Sequence, residues 1–75
     1  MEIRAGDLVT YKASSIRMVG LVTRVATYGR LASLYPSLRT PKPSEAIYNV
    51  DAALVLRSSD GREEVAFVRG LERIG

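Results

Sequence analysis

The apolar positions of this chain fall mostly in short runs with a period of two. The strongest is Met18–Tyr28, in which Val19, Leu21, Thr23 and Val25 lie on one face of an extended chain and Val22, Arg24 and Ala26 on the other. Leu8-Val9-Thr10-Tyr11-Lys12 is rich in β-branched and aromatic residues and predicts a first strand, entered through the turn pair Gly6-Asp7. Ala13–Arg17 reads as a small polar loop. Ala52–Arg57 is apolar on both faces and predicts a central strand. Asp60-Gly61 is a favoured hairpin pair, and Glu63–Val68 is the return strand, with Val65 and Phe67 on one face and Ala66 and Val68 on the other. Arg69-Gly70 breaks that strand, and Leu71–Ile74 reads as a tight turn and a last short strand. Gly20, inside the strongest run, predicts a bend or a close backbone approach.

Five short strands with a kink and a hairpin predict an all-β fold, a small partly open barrel in one domain spanning residues 1–75. The pattern fails between Gly29 and Asn49, which predicts a long insertion between strands two and three. Arg30–Tyr35 is compatible with one or two helical turns, which Pro36 ends. The proline-marked part that follows predicts extended chain, and Ala46–Val50 is a candidate for re-entry into the sheet. Leu31, Leu34, Tyr35, Leu38, Ile47 and Tyr48 make this insertion too apolar for a disordered linker. Those side chains either fold back over the barrel or are buried against another molecule.

Charge sharpens the picture. Residues 8–44 carry six cations and no acid, whereas the rest carries five cations and eight acids, so a net +3 conceals +6 in one stretch and −3 elsewhere. Nine of the eleven cations are arginine, whose planar fork suits phosphates, carboxylates and interfaces. Solvated surface charge and an interface role both fit them. A two-sided charge distribution suits head-to-tail association of copies.

The chain has no cysteine and no histidine, which excludes disulfides and ordinary zinc sites, and no cofactor is expected. Glu63 and Glu64 are neighbours on a strand and point to opposite faces, so they form no carboxylate pair. Asp60, Ser58 and Ser59 are turn residues. The expectation is a protein that is not an enzyme. No apolar run reaches the ~20 residues of a membrane span, and Met1-Glu2-Ile3-Arg4 does not open a signal peptide, so no membrane partner and no secretion are expected.

The skeleton Gly6-Asp7-Leu8-Val9, Gly20-Leu21-Val22, Asp60-Gly61 and Leu71-Glu72-Arg73-Ile74 resembles SH3-like small barrels. Such barrels occur in KOW-type domains of ribosomal and transcription proteins, and among small bacteriophage head-completion and neck proteins with a long loop between strands two and three. The similarity covers about 55 of the 75 residues and rests on turn and core positions. KOW-type barrels have a shorter first connection than Lys12–Met18 and no insert like 29–49, so the resemblance implies the loop-bearing phage type. It implies a structural or assembly protein of the virion or of the host cytoplasm. Its partners would be subunits of the same homo- or hetero-oligomeric assembly, met through Arg30, Leu31, Leu34, Tyr35, Leu38, Arg39, Lys42 and Tyr48. A KOW-like nucleic-acid-binding module is the alternative, with Arg17, Arg24, Arg30 and Lys42 contacting phosphate. Tyr11 and Tyr28 are expected to pack the barrel rim rather than stack on bases.

Overall fold

The computed structural model describes residues 2–13, 15–38 and 49–74. Its elements are β1 (Leu8–Ala13), β2 (Ile16–Thr27), α1 (Tyr28–Leu34), β3 (Asp51–Arg57), β4 (Glu63–Phe67), a 3₁₀ turn (Val68–Gly70) and β5 (Glu72–Arg73). The five strands form one open antiparallel sheet in the order β4-β3-β2-β1-β5. The protein is mostly β, as the alternating pattern predicts.

Local chemistry explains each connection. The Gly6-Asp7 pair turns as expected, with Gly6 at φ +98°. It ties to β2 through the Gly6 N–H on the Val22 carbonyl (2.7 Å) and the Val22 N–H on the Asp7 carbonyl (2.9 Å). The β3–β4 hairpin turns at Gly61, whose φ of +69° suits a residue without a Cβ. Asp60 accepts the Arg62 N–H at 3.0 Å, and the Arg57 guanidinium pairs with Asp60 and, at 3.2 Å, with Glu64.

The first connection differs from the expected five-residue loop. Ala13 pairs with Ile16, so only Ser14 and Ser15 join β1 to β2. Ser15 takes a φ of +70°, the left-handed geometry that a two-residue hairpin demands.

In β2, Val22 faces Val55 and Arg24 faces Leu54, which leaves Thr23 as an extra residue. Its hydroxyl donates to the Leu54 carbonyl at 3.2 Å. The bulge corrects the expectation that Val19, Leu21, Thr23 and Val25 share one face: Val19 and Leu21 stay outside, whereas Val25 pairs with the core residue Ala53.

The inner face of the sheet packs Val9, Tyr11, Val22, Ala53 and Val55 with Ile3 and Leu71. On the outer face, Ala52 packs beneath Tyr28 and Leu31 of α1, and the Tyr28 and Phe67 rings stack at 5.1 Å. Ala52 to Val55 are all buried, as a central strand requires.

Helix α1 starts two residues earlier than Arg30. The Thr27 hydroxyl caps it by accepting the Arg30 N–H at 3.3 Å, and the Tyr35 N–H closes it on the Leu31 carbonyl at 2.9 Å, directly before Pro36. The segment joining β2 to β3 thus begins as a packed helix. Leu31, expected among the interface residues, is fully buried in the single chain, in a cluster with Tyr28 and Ala52. The expected sheet re-entry at Ala46–Val50 lies mostly outside the described residues.

Candidate interaction surface

The sheet register builds a surface that no single strand reveals. Leu8 on β1 faces Leu21 on β2, and Leu21 faces Leu56 on β3. Beyond β5, the Ile74 N–H bonds the Leu8 carbonyl at 2.8 Å, which extends the row by one more residue. Ile74, Leu8, Leu21 and Leu56 therefore form a row across the outer face, with Val19 in the adjacent row opposite Thr10. Four of these side chains stay in solvent contact: Leu8 is 51% exposed, Ile74 43%, Val19 41% and Leu21 37%. Helix α1 covers the other end of the same face, over Ala52 and Phe67. Bringing each of the four bare side chains out of water is worth about 1 kcal/mol at this exposure.

The residues expected to bind partners distribute unevenly. Arg30 and Leu34 are exposed on α1, and Tyr35 and Leu38 behind it are half-buried. Arg39, Lys42 and Tyr48 lie outside the described residues. Arg17 is exposed near the β1–β2 hairpin, 3.3 Å from the Thr10 hydroxyl and 3.9 Å from Glu72. Arg24 is exposed beyond the bulge, roughly 20 Å further along β2 at the rise of an extended strand. Lys12 faces Arg17, so Lys12, Arg17 and Arg24 share the outer face without converging on one point. The outer row itself escapes a reading of single strands. Alternation marks Leu8 and Thr10, or Val19 and Leu21, as one face each, but only the register joins them.

Among the described residues, a dense cluster of ionisable groups surrounds Tyr11. Its ring is buried and its hydroxyl has no hydrogen-bond partner. Burial, and after it the nearby Glu64 carboxylate, push this phenol well above the ordinary tyrosine value. Arg57 sits between Glu64 and Asp60 and pairs with both. The Asp60 carboxyl is held below its usual range first by the Arg62 N–H and then by Arg57. The cluster is an ion network of Arg57, Asp60 and Glu64 with a buried phenol beside it. Among the described residues, no group of three or more acidic side chains is placed to hold a metal ion. No helix among them is long and apolar enough to cross a membrane. Beside the cluster, a groove of about 330 Å³ is lined by Tyr11, Lys12, Glu64, Phe67, Arg69 and Leu71.

No family model matches the chain, and no curated protein or solved structure matches it.

Proposed function

We propose that this chain is a non-enzymatic assembly protein, built as an SH3-like barrel with an insertion between β2 and β3, that docks on neighbouring subunits of a larger particle. The apolar row Ile74–Leu8–Leu21–Leu56, in which Ile74, Leu8 and Leu21 are exposed, carries the reading. A small monomeric domain gains nothing from leaving such a row in water, whereas a subunit uses it. Arg30, Leu34, Tyr35 and Leu38 add a second contact region on and behind α1, the described part of the insertion. The setting that the resemblance implies is a bacteriophage virion, with the chain as a capsid-associated, neck or connector component.

Light scattering of the purified protein, at low and high salt and with and without a short DNA duplex, tests this. Assembly beyond a dimer without DNA is expected. Replacing Leu8 and Leu21 together by serine abolishes it while the circular dichroism spectrum stays the same, because both side chains are exposed. Unchanged assembly in that variant removes the reading.

A nucleic-acid-binding module is the second reading, supported by Lys12, Arg17 and Arg24 sharing one face. It predicts a protein that shifts only with DNA and releases it steeply as salt rises, because each neutralised phosphate gives up a counterion on binding.

A further inference from the structure

We infer that the free edge of β4 pairs with β4 of a second copy, a contact separate from the outer row. Strand β4 ends the sheet and, among the described residues, hydrogen-bonds only to β3. The Arg57 N–H bonds the Arg62 carbonyl at 2.8 Å, which fixes the phase of the ladder. By the alternation of an antiparallel pair, Glu64 and Ala66 bond β3, whereas the backbone groups of Glu63, Val65 and Phe67 point out from the sheet. Among the described residues nothing pairs with that edge. The other edge, β5, is only two residues long, too short to template a second chain.

The sequence of β4 is self-complementary about Val65. A two-fold axis there sets Val65 opposite Val65, Glu64 opposite Ala66 and Glu63 opposite Phe67 of the other copy. No carboxylate meets its own kind, and the three outward-pointing residues of each copy face the outward-pointing residues of the other. Glu63 and Phe67 lie on the same side of the sheet, and directly opposed residues have Cβ atoms about 5 Å apart. The Arg69 guanidinium lies 5.2 Å from the centroid of the Phe67 ring. Arg69 of the second copy therefore stands within reach of Glu63, and the two-fold repeats the pair. Both side chains belong to exposed residues in the single chain, so both are free to form it. The two sheets become one of ten strands with the outer rows on the same side.

Sedimentation equilibrium of the full chain across a wide concentration range tests the pairing. In the variant with serine at Leu8 and Leu21, which lacks the assembly surface, a dimer is expected, and the exchanges below are made in that background. Glu63→Arg and Arg69→Glu each place like charges at both symmetric contacts, and each weakens the dimer by about tenfold. The double exchange restores it to within about twofold. Val65→Pro abolishes it, because the Val65 N–H is used only by the second copy. A monomer at every concentration overturns the inference, and so does a dimer indifferent to the single exchanges or not recovered by the double one.

Discussion

Gly20 on β2 and Val55 on β3 approach so closely that a Cβ on Gly20 would collide with Val55 Cγ1 and lie 2.9 Å from the Leu56 carbonyl oxygen. The backbone of β2 lies directly against a side chain of the central strand, which is how the sheet bends over its inner core. Gly20→Ala therefore forces backbone movement, and a loss of about 1–3 kcal/mol is expected. Urea unfolding followed by circular dichroism measures it. Unchanged stability would mean that the two strands can separate at no cost.

Tyr11 buries its hydroxyl beside the Glu64 carboxylate without a hydrogen bond. Tyr11→Phe removes a polar group that already lacks a partner, so stability at neutral pH should stay level or rise by up to about 1 kcal/mol. A loss larger than that would show that the hydroxyl bonds Glu64 in solution. The same residue sets an alkaline limit. The phenol in the folded protein ionises above its unfolded value near 10, so its contribution is complete below about pH 10 and disappears as pH rises beyond it. Unfolding midpoints between about pH 9 and about pH 11 should fall less steeply for Tyr11→Phe than for the parent.

Much of this fold is legible in the sequence. Ala52 to Leu56 announces a strand buried on both faces, Asp60-Gly61 its hairpin, and Gly20 its close approach. The bulge at Thr23 was not legible, because it depends on which residue of β3 stands opposite and leaves no glycine or proline behind. Ser15 is neither Asn nor Gly, so its left-handed backbone is imposed by the pairing of Ala13 with Ile16. The outer row needs the register of four strands at once. Helix α1 did leave a signal: Tyr28, Leu31, Ala32 and Tyr35 follow the spacing of one helical face, and all four pack in its cluster. Reading Tyr28 as the end of a strand hid that period and left Leu31 among the partner-binding residues.

Leu31 and Leu34 separate fold from contact on the same helix. Leu31 is fully buried against Ala52, whereas Leu34 is 46% exposed. Leu31→Ala should cost about 2–5 kcal/mol, since it opens a cavity under α1. Leu34→Ala should cost under about 0.5 kcal/mol and leave the thermal midpoint nearly unchanged. Thermal unfolding of both variants checks the difference. Equal effects would mean that α1 is not seated on the sheet as described.

Asp60 joins the hairpin turn to the ion network, and its removal should be read through pH. The Arg62 N–H and Arg57 favour its charged form, so its folded pKa lies below the unfolded one. A lowered carboxyl contributes stability above its unfolded value near 4, and that contribution disappears as pH falls through the folded value. Asp60→Asn keeps a turn-forming amide but removes the titration. The variant should be less stable than the parent at neutral pH and approach it as the solution is acidified, because the parent's carboxyl becomes neutral as well. Urea midpoints from about pH 6 down to about pH 2 for the two proteins give the comparison. Parallel curves would mean that Asp60 holds the turn by shape alone, with its charge contributing nothing to the β3–β4 hairpin.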